Sequence, residues 1–174
     1  EVVNMTEQKY TTILVPVDGS KAAKLAFDRG VEIAKRNHSH LDVLNVIDLN
    51  QFTVSFAGMV DAGGDVVYQA FEDVSDYLND LVERAHKAGL NDVSMHVRYG
   101  SPRSVIAKEF IKDHGTDLIV MGPTGANPVE RLFLGSLPDE LFKTGILIPV
   151  FLYFAKLALI LKISYTSLQG FLIS

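Results

Sequence analysis

Apolar positions along the chain switch between two rhythms. Residues 12–17 form a short, β-branched run that stops at Asp18, Gly19 and Ser20, a turn and helix-cap signature, so the pattern predicts a buried strand feeding a helix. Between Lys21 and Arg36 the positions Ala22, Leu25, Ala26, Gly30, Ile33 and Ala34 share one helical face, and the polar stretch 37–40 breaks it. Residues 41–47 read as a second strand. The stretch 48–65 contains glycines and holds no period, which predicts a loop with a short helical piece. Phe71, Val74, Leu78, Leu81, Val82 and Ala85 then recur at spacings of three and four with Gly89 beyond them, predicting a helix over 66–88. Residues 93–99 alternate as a third strand. Ser101 and Pro102 open a third helix that Gly115 closes, and 118–121 make a fourth strand. A short fourth helix over 137–144 and a fifth strand over 149–154 complete the series.

This alternation predicts an α/β fold: a single-domain, five-stranded parallel sheet, doubly wound, with helices on both faces. The 174 residues suit one domain with a sizeable core. The domain is expected over 10–154, between a polar N-terminal extension at 1–9 and an apolar C-terminal extension at 155–174. Residues 1–9 hold no apolar run of the signal-peptide kind. The run 146–163 is apolar enough to raise the question of a membrane span, but Pro149, Lys156 and Lys162 interrupt a stretch of marginal length, and a span is not expected. The tail after residue 154 fits an extra strand, a helix or a dimer arm, buried against the domain or a partner.

Charge and composition remove several classes of function. The formal net charge is −5 and the 16 basic residues form no stripe, which argues against nucleic acid as a partner. The absence of cysteine excludes disulfides, thiolate catalysis and thiolate metal sites, and suits a cytoplasmic protein. His38, His40, His86, His96 and His114 lack metal-ligand spacing and read as surface residues, so no protein metal site is expected. There is no GxxxxGK[ST] loop.

In an open parallel sheet, ligands bind beyond the carboxyl ends of the strands. There the sequence places Asp18, Asp48, Gly100 and the run Met121, Gly122, Pro123, Thr124, Gly125, which leads to Gly135 and Ser136 just before a helix. Glycines let backbone N–H groups approach a ligand, and a helix start adds unsatisfied donors, so this is a candidate phosphate cradle. Taken alone, the glycines also read as loop punctuation, and Asp18 as a turn or cap residue.

The spacing Gly122-x2-Gly125-x9-Gly135-Ser136, with Pro16, Val17 and Asp18 ending the first strand, resembles the universal stress protein family, and the order of elements agrees over 10–154. The resemblance implies an adenine nucleotide α-hydrolase-like fold that binds ATP, or ADP or AMP, with Mg2+ or Mn2+ carried by the phosphates. It assigns Asp18 to the ribose hydroxyls, Pro16 and Val17 beside the base, and Val46 to the adenine through its backbone. Met121 would cover the nucleotide. Gly122, Thr124, Gly125, Gly135, Ser136 and Leu137 would hold the phosphates. No catalytic residue is implied, so turnover is expected to be slow or absent. A homodimer through 149–154 is implied as well. Pro138 departs from the family's usual hydroxyl residue and weakens the expected phosphate grip. It keeps open an interaction protein with a weakened site, beside a slow nucleotide or phosphoester hydrolase.

Overall fold

A computed structural model describes residues 9–48, 63–122, 150–154 and 157–161. Strand β1 is Thr12–Pro16, followed by helix α1, Lys21–Asn37, strand β2, His40–Ile47, and helix α2, Gly63–Lys87. Strand β3, Val93–Tyr99, leads into a continuous helical run, α3, which begins at Pro102–Ser104, winds as a π-helix over Val105–Phe110 and returns to α geometry over Ile111–His114. Strands β4, Leu118–Met121, β5, Val150–Phe154, and β6, Leu157–Leu161, complete one sheet in the order β3-β2-β1-β4-β5-β6.

Both faces of the sheet are covered, which explains why the central strands read as unbroken apolar runs rather than as alternation. Ile13 and Val15 of β1, with Leu41 and Val43 of β2, pack against Ala26, Phe27 and Ala34 of α1 and against Leu78, Leu81 and Ala85 of α2. Leu14, Leu44 and Ile119 face the other way, onto Ile106, Ala107, Phe110 and Ile111 of α3. Local chemistry sets the ends of the helices. The Ser20 hydroxyl accepts from the Ala23 amide at 3.0 Å to cap α1, and Gly115 closes α3 at φ +63°. At the start of β1, the Asp117 carboxylate accepts from the amides of Thr11 and Thr12 at 2.8 and 3.1 Å, tying the entry of β4 to β1 across the chain.

Three expectations need correction. Helix α2 begins at Gly63 rather than at residue 66, and residues 49–62 of the loop with a short helical piece expected over 48–65 lie outside the described residues. The sheet has five parallel strands, as expected, plus a sixth: the tail turns back, and β6 runs antiparallel to β5 from Phe154↔Leu157 to Val150↔Leu161. This in-chain pairing satisfies backbone groups that an edge strand would leave open. His40, His96 and His114 are not surface residues but half-buried: β3 sets His96 against Phe110 and His114 of α3, and His40 meets the buried Asp42; His38 and His86 are exposed. Among the described residues no helix is long and apolar enough to cross a membrane. The fourth helix expected over 137–144, and Pro149, lie outside the described residues.

At Gly30 α1 seats close against the sheet. A Cβ there would stand 2.5 Å from Cγ2 of the fully buried Val15. Alanine favours a helix over glycine by about 1 kcal/mol, yet overpacking costs about 1–3 kcal/mol, so Gly30→Ala is expected to destabilise the fold. Urea unfolding checks this, and in a double-mutant cycle with Val15→Ala the two costs should be less than additive.

Candidate functional site

The chain leaves β1 toward β2 and β3 on one side, then crosses to β4 on the other. The strand order therefore reverses between β1 and β4, and a crevice opens beyond their carboxyl ends. The described part of the predicted site gathers there: Pro16, Val17 and Asp18 at the end of β1, Met121 and Gly122 at the end of β4, and Val46 near the end of the adjacent β2. Thr124, Gly125, Gly135, Ser136 and Leu137, with Pro123 and Pro138, lie outside the described residues.

The turn after β1 is built to present a carboxylate. The buried Val17 extends the β1–β2 ladder by donating its amide to the Leu44 carbonyl at 2.8 Å, and its own carbonyl accepts from Asn45 Nδ2 at 2.8 Å. Gly19 follows at φ +81°, where a side chain would be strained. Asp18 is exposed, and its Oδ1 accepts from the Ser20 amide at 3.0 Å. Asn45 escaped the sequence reading, although a polar residue within the apolar run of β2 was a signal for it.

Tyr77 of α2 was also missed, because its spacing reads as core. Its hydroxyl is buried without a well-formed hydrogen bond, and its ring lies 5.9 Å from the Lys24 ammonium. Burial, and then the charge of Asp18, hold this phenol above its ordinary range, against the opposing pull of the Gly19 amide and Arg84.

Backbone direction explains the place of Val46. In β2 the even-numbered residues turn their backbone groups toward β1: His40 donates to the Thr11 carbonyl, and the Leu44 carbonyl accepts from Val17. Val46 is next in that series, but the β1–β2 register ends at Pro16↔Leu44. Its N–H and C=O therefore face the crevice past the end of the ladder. Val46 and Met121 both border the core cluster under α3, which gives the crevice an apolar flank.

Gly122 has a packing reason to be glycine. A Cβ there would lie 2.7 Å from the backbone carbon of Ala22 and 2.8 Å from its carbonyl oxygen, both in the first turn of α1. Among the described residues no group of three or more His, Cys, Asp or Glu could hold a metal ion.

This arrangement, an open α/β sheet with an acidic turn and a glycine beside its switch point, places these residues where ligands bind in doubly wound α/β folds. The sequence model of the universal stress protein family matches residues 9–144. A putative universal stress protein of Staphylococcus aureus (strain USA300) is 38% identical over 134 residues, covering 77% of this chain and 78% of that protein. Among solved structures, the universal stress protein UspA from Lactobacillus plantarum superposes with a TM-score of 0.65 at 28% identity, over 84% of this chain and 99% of that one. A universal stress protein solved in complex with cAMP shares the fold, with a TM-score of 0.53 at 22% identity over 78% and 90% of the two chains. The chain belongs to the universal stress protein family.

Because the atoms that a Cβ at Gly122 would strike are backbone, α1 cannot yield cheaply. Gly122→Ala should lower stability by about 1–3 kcal/mol even without ligand, the usual cost of overpacking. Thermal unfolding of the nucleotide-free variant at an unchanged midpoint would show that α1 and β4 are not packed this closely.

Proposed function

We propose that this protein binds an adenine nucleotide, ATP foremost, in the crevice between the ends of β1 and β4, and that the bound nucleotide sets its conformation or partners in a stress response. The observation that carries this reading is the placement of two unlike groups at neighbouring strand ends, Asp18 after β1 and Val46 near the end of β2. The exposed Asp18 carboxylate can accept from both ribose hydroxyls, and the Val46 backbone offers a donor and an acceptor to the edge of a purine. Val17 and Pro16 would lie beside the base, with Met121 covering the nucleotide. Phosphates would continue toward Gly122, Thr124, Gly125, Gly135, Ser136 and Leu137. An adenine nucleotide, cAMP, is bound by the relative of the same fold named above, which supports the ligand class.

When bound, ATP would supply the charge that draws Mg2+ or Mn2+, carried by its phosphates rather than by a protein cage. The chain's own part is to bind and orient: Asn45 and the Val17–Leu44 bond stiffen the turn. The reading assigns no general base, so it expects binding with slow or no turnover. A cytoplasmic location belongs to the same reading.

Nucleotide extracted from protein purified without added ligand should be ATP, ADP or AMP by mass spectrometry. Asp18→Ala should weaken ATP binding by about 10- to 100-fold, since hydrogen bonds to a charged group contribute about 1.5–3 kcal/mol. No retained nucleotide together with no binding in a titration would overturn the reading. Unchanged affinity in Asp18→Ala would remove the ribose role alone.

Homodimerisation is part of the proposal, but its expected route changes. The outer edge of β5 is paired to β6, so a second copy would meet β6 first, an apolar strand that would be hazardous if left open to water. Light scattering is expected to give a dimer for the full chain, and a chain ending at residue 155 should lose it. A monodisperse full-length monomer would exclude the dimer.

A further inference from the structure

At the amino ends of the strands, opposite the nucleotide crevice, a buried carboxylate joins two histidines. Asp42 of β2 has a side chain only 2% exposed, and its Oδ1 lies 2.7 Å from Nε2 of His96 on β3 and 3.1 Å from Nε2 of His40. The other nitrogen of His40, Nδ1, lies 2.6 Å from Oδ1 of Asp92, in the turn that enters β3. A neutral imidazole has one N–H to donate, and an ionised carboxylate only accepts. His96 needs a single proton for Asp42. His40 touches a carboxylate oxygen at each nitrogen, so both contacts are hydrogen bonds only when its ring is an imidazolium.

Among the described residues the surroundings supply no other partner for that second proton. From β1, the Thr11 carbonyl accepts from the His40 amide, and the charge carried on that side is Asp117, which holds Thr11 through its amide and hydroxyl; Tyr10 stands beside it, raised first by burial and then by Asp117. From β3 come His96 and Arg98, whose guanidinium carbon lies 5.8 Å from the centroid of the Phe110 ring. From α3, His114 stacks on Phe110 at 3.8 Å and meets His96 edge-on at 4.7 Å. The carboxylates of Asp42 and Asp92 are the groups in hydrogen-bond contact with the His40 ring.

We infer that His40 is a proton-operated clasp: protonated, it fastens the turn before the edge strand β3 to the buried carboxylate of β2, and neutral, it releases one of the two. Asp92 is the side that lets go, because its carboxylate is 70% exposed and water can take the place of the imidazole, whereas Asp42 has no such replacement. β3 is the edge strand opposite β6 in the sheet, so among the described residues its entry turn has a neighbouring strand on one flank only.

Burial pulls the affinity of His40 for its proton down, but the hydrogen bond and charge of Asp92, with those of Asp42, outweigh it and hold the group above its ordinary value of 6.5. For Asp42, burial pushes up, but the bonds and charges of His96 and His40 prevail and hold it below 3.8. A raised histidine contributes stability that is fully present below 6.5 and is lost as pH rises through its folded value. A depressed carboxylate contributes stability that is present above 3.8 and is lost as pH falls through its folded value. The clasp is therefore tightest in mildly acidic solution and opens on the alkaline side.

The experiment is urea unfolding between pH 5.5 and 8.5, with NMR titration of the His40 ring, on wild type, His40→Gln and Asp92→Asn. In wild type the unfolding constant should rise with pH by about two- to fivefold more than in either variant, the range of a partly exposed ion pair. The His40 midpoint should lie above 6.5 and move down in Asp92→Asn. Should His40→Gln fail to fold, the exposed Asp92→Asn still decides. A wild-type midpoint at or below 6.5, or an Asp92→Asn variant with unchanged midpoint and pH slope, would overturn the clasp.

Discussion

The position of β1 at the centre of the sheet is the constraint on which the rest depends. Ile13, Leu14 and Val15 are fully buried, two toward α1 and α2 and one toward α3, and each such side chain contributes about 1.5–3 kcal/mol when removed from water. A strand buried on both faces must also satisfy its backbone from both sides. β2 does so along Thr12↔His40 to Pro16↔Leu44, and β4 along Ile13↔Leu118 and Leu14↔Ile119, with the Asp117 carboxylate serving the first amides. Two parallel neighbours of one strand require the chain to cross over it, and that crossing creates the crevice.

The site is thus a by-product of how β1 is satisfied. Where the ladder stops, the next backbone groups have no strand of the described sheet to meet: those of Val46 are left facing the opening, and the turn at Asp18 is exposed beside it. The close seating of α1 against the sheet at Gly30 and against β4 at Gly122 brings the capped start of that helix to the same place. A glycine in such a crevice answers to packing as well as to a ligand, so its presence alone says less about phosphate than its spacing suggests.

The two ends of the sheet carry different chemistry. At the carboxyl ends the Asp18 turn is exposed, while at the amino ends Asp42, His40 and His96 consume one another's hydrogen bonds beneath α3. The edges differ as well: β5 is covered by the chain's own return strand, and β3 stands at the other end of the sheet.

Much of this was legible in the sequence, since the apolar periods of residues 12–17, 41–47 and 71–85 and the turn and cap residues at 18–20, 101–102 and 115 depend on local geometry alone. The carboxyl-end placement of Pro16, Val17, Asp18, Val46, Met121 and Gly122 followed from strand order, and the family pattern from spacing. What lay beyond reach depends on contacts distant in the chain. Nothing local tells that residues 157–161 return to pair with β5, since an apolar run fits strand or helix equally until a partner edge is present. Nor does it tell that Asp42 meets His96, 54 positions away, or that Ala22 sets the limit at Gly122. Local pattern determined the elements and their order; register across the sheet and the seating of helices on it decided which polar groups meet, because those distances exist only once the chain has folded.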